Sequence, residues 1–183
     1  MLETLERLDP EIARQQGIAL HALLQHLGRV PRTDWDIVLD RAMPVLLPDA
    51  PDLADSVRQK AVAILTRPEL AGIFGANSRA EVPFLMTATR RDKPVKLAGR
   101  IDRIVVTDDS VTVIDYKSDA NVPAVPTEVP PHYLMQLGLY ALVARQLFPG
   151  KTVNAQILWT AMESLMNLPQ DLLQHSVSDF TMG

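Results

Sequence analysis

The sequence predicts an α/β fold: a mixed, largely antiparallel central sheet flanked by helices. Three observations carry this. The first third repeats its apolar residues with a helical period. The middle breaks into three runs rich in Val and Ile, separated by short polar turns. A strongly apolar helix then precedes further extended segments. The chain has 183 residues, 47% hydrophobic and 22% charged, enough to bury a core without covalent staples. A single domain over 1–183 is expected, with a helical part at 1–75 and a core at 80–168.

Each element has its own reason. From Pro10 to Gly28, Ile12, Leu20, Leu23, Leu24 and Leu27 form a 3.6-period stripe, and Gly28 is a plausible stop. A second helix starts with Thr33 or Asp34 as N-cap and reaches about Leu47, weakened by Pro44. A third runs from about Asp52 to Thr66, with Val57, Ala61, Ile64 and Leu65 inward, before Pro68 and Gly72 break the pattern. Strands are expected at Glu81 to Thr87, Lys96 to Thr107 and Val111 to Lys117, as an antiparallel meander. Asn121 to Pro131 holds four prolines and reads as a surface loop. Tyr133 to Leu147 is helical, Val153 to Thr160 and Ser164 to Leu168 are extended, and a short helix spans about Gln170 to His175.

Composition narrows the function. Cysteine is absent, which excludes disulfide frameworks, thiolate zinc sites, iron–sulfur clusters and cysteine nucleophiles. A net charge of -4 lacks the basic excess of a free-standing nucleic-acid binder, although a tethered domain needs little affinity of its own. No run of 18 apolar residues predicts a membrane span. The first ten residues carry Glu3, Glu6 and Asp9 and lack a signal-peptide core, so a cytoplasmic location and no membrane partner are expected. Gly150-Lys151-Thr152 ends like a phosphate-binding loop, but Arg145 stands where that loop needs glycine and a strand follows it, so no nucleotide is expected. Arg90, Arg91, Lys93 and Lys96 read as a solvated charged turn, and Arg100 and Arg103 read similarly.

The chemistry concentrates in one hairpin. With a tight loop centred on Asp108 and Asp109, opposed residues have numbers summing to 217. Asp102 then faces Asp115, Arg100 faces Lys117, Ile104 faces Val113, and Val106 faces Val111. Two carboxylates directly opposite, about 5 Å apart, destabilise a sheet unless they share a proton or a cation. Lys117 points to the same side about 7 Å further along. An ammonium beside a two-carboxylate metal site suits phosphodiester hydrolysis. The competing reading makes Asp102 and Asp115 caps for local backbone groups, with Lys117 paired to one of them.

These residues resemble a known family. Gly99-Arg100-Ile101-Asp102-Arg103-Ile104, Val113-Ile114-Asp115-Tyr116-Lys117-Ser118 and Tyr133-Leu134-Met135-Gln136-Leu137-Gly138-Leu139-Tyr140 resemble the RecB-like branch of the PD-(D/E)XK nucleases. Gly17 to Gln25 is similar to that branch's upstream histidine helix, and Glu81-Val82-Pro83-Phe84 to a lesser strand motif. These segments stand in the family's order and cover about Gly17 to Thr160. The missing cysteines favour the AddA-type or RecB-type branch over relatives with an iron–sulfur cluster, and the nuclease domain of AddA-type helicase–nuclease subunits is most similar.

The resemblance implies a restriction-endonuclease-like fold and a metal-dependent deoxyribonuclease. His21, Asp102 and Asp115 would bind Mg²⁺ or Mn²⁺, with the backbone carbonyl of Tyr116 as a further ligand and Lys117 as the catalytic lysine. Gln136 and Tyr140 would lie beside the active site and the DNA strand, with Arg100 on the same face. The implied partners are single-stranded DNA, a helicase in the same parent chain and a second AddB-type subunit, in bacterial double-strand-break repair. Because the motifs begin near residue 17, the chain is expected to be an excised domain or a truncated relative. The alternative is an inactive nuclease-like module that binds DNA or a partner subunit.

Overall fold

The computed structural model describes residues 10–182. The acidic segment with Glu3, Glu6 and Asp9 lies outside them. The described residues divide into two compact units, one ending at Arg67 and the other beginning at Pro68.

The first unit holds three helices: α1 (Pro10–Leu27), α2 (Trp35–Leu46) and α3 (Ala54–Thr66). The apolar stripe of α1 buries Leu20, Leu23, Leu24 and Leu27 as its spacing predicts, together with Ala19, while Ile12 stays partly exposed. Trp35 fastens the α1–α2 turn, its indole N–H donating to the carbonyls of Leu27 at 3.1 Å and Val30 at 3.2 Å. Asp34 is the N-cap of α2, but its side chain makes no capping bond. A short 3₁₀ turn, Pro51–Leu53, leads into α3, which buries Val57, Ala61 and Ile64 and leaves Leu65 half-buried.

The second unit is a six-stranded sheet with two helices. Its strands are β1 (Ser78–Arg90), β2 (Lys93–Val106), β3 (Ser110–Lys117), β4 (Thr152–Trp159), β5 (Ser164–Leu168) and β6 (Phe180–Met182), in the order β5-β4-β3-β2-β1-β6. Among the described residues only β3 and β4 pair in parallel. A parallel pair needs a crossover, and α4 (Pro131–Leu147) supplies it, packing over β3 and β4. Leu134, Leu137, Ala141 and Ala144 of α4 bury against Ile101, Ile104, Val113, Ala155 and Ile157 of the sheet.

Two strands run longer than the sequence predicts. β1 and β2 meet at a two-residue turn in which Arg91 and Asp92 both take positive φ, 48° and 62°. That geometry matches the twist of a hairpin and normally selects Asn-Gly, so Arg-Asp gave no signal. β6 went unpredicted because three residues carry no readable alternation. It is held to β1 by Arg90, which donates to Asp179 at 2.9 Å and lies 4.8 Å from the Phe180 ring centroid. The proline-rich loop is not wholly superficial, since Val129 is buried and a 3₁₀ turn spans Pro126–Glu128. A helix α5 (Gln170–Ser176) follows β5 and packs on α4.

Arg103 departs from its reading as a solvated cation. It is 3% exposed, donates to the Tyr116 hydroxyl and to Ser78 Oγ, and lies 4.6 Å from the Phe74 ring centroid. A buried guanidinium persists only with such partners.

Candidate active site

The site lies where two central strands part. β2 and β3 pair in the expected register from Val106–Val111 to Arg103–Ile114, and there the ladder ends. β3 continues beside β4 as far as Lys117–Trp159. At the divergence the Asp102 carboxylate accepts the Tyr116 N–H at 2.8 Å, so a side chain replaces the lost backbone partner. The expected opposition of Arg100 and Lys117 does not occur. Arg100 pairs with Pro83 of β1, and its guanidinium meets Glu81 at 3.0 Å. The register holds as far as Arg103–Ile114, but Asp102 and Asp115, one residue beyond, are not backbone partners as expected, because the strands have separated.

Three carboxylates converge there. Asp115 is 2% exposed and within hydrogen-bonding reach of Asp102. The third is Glu81, whose carboxylate comes within 4.8 Å of Asp102. Burial pushes the Asp102 carboxyl up to about 6, with the charge of Glu81 adding to the rise and the Tyr116 N–H and Lys117 opposing it. Glu81 adopts φ 55° inside a strand, a conformation that glutamate rarely takes and that costs about 1–3 kcal/mol. In the sequence Glu81 stands out only as part of a strand motif, with no role of its own. The one available signal was an acid preceding Pro83, since a left-handed glutamate leaves no trace in composition.

Lys117 is held from three sides. Its ammonium contacts Asp115 Oδ2 at 2.5 Å, donates to Gln136 Oε1 at 2.8 Å and stands 4.2 Å from the Tyr133 ring centroid. The chain continues through α4: Gln136 Nε2 donates to the Tyr140 hydroxyl at 2.9 Å, and that hydroxyl donates to the Arg100 carbonyl at 2.9 Å. Burial raises the Tyr140 hydroxyl to about 12, so it keeps its proton and remains a donor. One line of hydrogen bonds thus ties the lysine on β3 to the backbone of β2 through a helix.

Asp102, Asp115, Tyr116, Lys117, Gln136, Tyr140 and Arg100 therefore meet at one end of the sheet in the second unit. Tyr140 is 8% exposed, and its polar atom is spent inside the protein, whereas the Arg100 side chain is 64% exposed. Tyr133 packs against the core, and its hydroxyl also donates to Asp119 at 3.1 Å. His21 lies on α1 of the first unit, half-buried.

The donor set fits a hard divalent cation. Carboxylate oxygens crowd together at a partly buried strand end, where their mutual repulsion calls for a counter-charge, and oxygen ligands suit Mg²⁺ or Mn²⁺. Lys117, paired with Asp115, and Arg100, paired with Glu81, bring positive charge to the cluster. The competing reading is also visible in part, since Asp102 does cap a backbone N–H and Lys117 does pair with Asp115.

Comparison with known proteins bears on the assignment. An ATP-dependent helicase/nuclease subunit of Bacillus licheniformis is 30% identical over 120 residues, which cover 58% of this chain and 10% of that protein. The chain thus spans about a tenth of the length of that relative. A candidate exonuclease from Eubacterium rectale, known from a crystal structure, is 13% identical with a TM-score of 0.44, the match covering 97% of this chain and 82% of that one. No helix among the described residues is long and apolar enough to cross a membrane. The model of the PD-(D/E)XK nuclease superfamily matches residues 1–176, nearly the whole sequence, and the chain belongs to that superfamily.

Proposed function

We propose that this chain is a divalent-cation-dependent deoxyribonuclease that hydrolyses phosphodiester bonds of single-stranded DNA. In its parent protein the strand is delivered by an attached helicase, and a second AddB-type subunit completes a complex for double-strand-break repair. The observation that carries the reading is the convergence of Glu81, Asp102 and Asp115 beside an ammonium fixed from three sides.

Asp102, Asp115 and Glu81 would supply oxygen ligands, with the backbone carbonyl of Tyr116 as a further one. A cation held there supplies Lewis-acid polarisation of a phosphoryl oxygen and lowers the pKa of bound water. Lys117 donates hydrogen bonds to the attacking water or to a non-bridging oxygen, stabilising the charge that develops there. Gln136 and Tyr140 keep that ammonium in place, so little reorganisation is needed as the reaction proceeds. Arg100, the most exposed cation of the group, meets the strand's phosphates.

The test is cleavage of an end-labelled single-stranded oligonucleotide in Mg²⁺ or Mn²⁺, with Asp115→Ala as control. Cleavage that requires the cation and disappears in Asp115→Ala is expected. Failure of the unaltered chain to cut in either cation, at concentrations that saturate binding, would sink the reading.

A further inference from the structure

An open groove of about 780 Å³ lies next to the candidate site, between the proline-rich loop and the β4–β5 turn. Asn121 and Val122 line one wall, Met162, Met166 and Asn167 the other, and Trp159, 1% exposed, lies buried beneath the floor between them. Trp159 is the register partner of Lys117 on the neighbouring strand, about 4.8 Å across the sheet. The Tyr133 ring bridges the two, 4.2 Å from the ammonium and 6.3 Å from the Trp159 ring, centroid to centroid for the latter. The groove therefore starts beside the fixed lysine.

Its chemistry selects the occupant. None of its lining residues is charged, although the chain carries a net charge of -4 and three carboxylates crowd the adjoining site. A phosphate, an acidic peptide or a basic segment would find no counter-charge inside. An unpaired nucleobase is neutral, offers flat faces to apolar side chains such as Val122, Met162 and Met166, and presents edge donors and acceptors that the amides of Asn121 and Asn167 can meet. Met162, 62% exposed at the rim, is a flexible, polarisable contact that suits bases of different size. Prolines at 123 and 126 limit the freedom that the loop must lose on binding.

We propose that this groove is a base-holding subsite, taking one nucleobase beside the scissile phosphate and so registering that phosphate against Lys117. The subsite rests on the nuclease reading and adds what it lacks: a reason for preferring unpaired DNA. A base still paired in a duplex cannot enter it.

The experiment measures binding of a labelled pentathymidine by fluorescence anisotropy in Ca²⁺, titrating the protein to millimolar concentration. A second oligonucleotide lacks one internal base, and each internal position is removed in turn. At one position the loss should weaken binding about threefold or more, a smaller effect than removal of a base stacked on an open aromatic ring. Met162→Glu and, separately, Asn121→Ala should bind the complete strand more weakly and lose the distinction between complete and abasic strands. Both residues are exposed, and melting curves verify that the variants fold. Equal binding of all strands by the unaltered chain, or undiminished discrimination in both variants, would overturn the subsite, as would failure to bind the complete strand at all. Because binding is read without cleavage, an inert chain that still discriminates would reject the nuclease reading and keep the subsite.

Discussion

Asp102 shows how far one residue's surroundings can be set against its own comfort. Its carboxyl titrates near 6 because burial penalises the charged form. The folded state thus holds the proton more tightly than the unfolded chain, so stability is full below about 4 and falls as pH rises through 6. At pH 7 the cation-free protein has lost up to about 3 kcal/mol through this carboxylate. Asp102→Asn keeps an acceptor for the Tyr116 N–H and removes the buried charge. It should therefore melt higher than the unaltered chain at pH 7 without cation and gain less from added Mn²⁺; a lower melting point at pH 7 would contradict this account. Gln136 poses a second question at this scale. Its bond to Lys117 makes it a positioning residue, whereas the family resemblance suggests contact with DNA. Gln136→Ala should lower kcat about tenfold or more with KM little changed, and a rise in KM at constant kcat would assign it to the strand instead. Individual residues were legible where chemistry repeats a spacing, as at Asp102, Asp115 and Lys117. Glu81 and the burial of Arg103 were not, because a positive φ and a partner from a distant loop leave no local pattern.

Helices and most strands were readable at the level of elements because burial on one face enforces a period. The apolar stripe of α1 and the Val/Ile runs of β2 and β3 needed no tertiary information. What escaped depends on pairing between distant segments: the extension of β1 and β2 to a turn of two left-handed residues, and β6, held by an arginine 89 residues earlier in the sequence. Close approach of α4 and α5 is a third case. A Cβ at Gly138 would stand 2.7 Å from Val177 Cγ1, 2.8 Å from Ser176 Oγ and 3.0 Å from the Leu173 carbonyl. Helix propensity alone favours alanine there by about 1 kcal/mol, while overpacking a fixed contact costs about 1–3 kcal/mol. The backbone carbonyl cannot rotate away, so the clash wins. Gly138→Ala should lower stability by about 1–2 kcal/mol, measured by denaturant midpoint. Because Gln136 and Tyr140 flank it on the same helix, cleavage should fall more than the fraction unfolded explains; a raised midpoint would show that α5 simply moves aside.

Across the whole molecule acidic side chains outnumber basic ones, and among the described residues part of the basic charge is already committed. Of 18 Lys and Arg against 22 Asp and Glu, Arg14, Arg58, Arg90, Arg91, Arg100 and Lys117 are already in ion pairs, and Arg103 is buried. Affinity for DNA grows with the number of phosphates neutralised, and so does its salt dependence. With a net charge of -4, this chain should bind a short single strand only at micromolar concentration or weaker near 0.15 M salt. Its logarithmic salt slope should be shallow, well below that of a protein making about 6–10 phosphate contacts. Lys117→Ala is suited to the measurement, since it keeps the carboxylates that hold the cation and should not cut. Titrating Mg²⁺ should tighten its binding, because the cation relieves repulsion between strand and carboxylates. Nanomolar affinity with a steep salt slope would mean that a basic surface has been overlooked. Weak intrinsic binding is no handicap for a domain fed by a tethered motor, where the strand arrives at an effective concentration set by the linkage rather than by bulk solution. Joining the chain to a strand-binding module should accordingly raise cleavage at low DNA concentration by about 10²-fold or more while leaving the rate at saturation unchanged. An equal rise at saturation would show that the partner alters the site itself, not merely the supply of substrate to it.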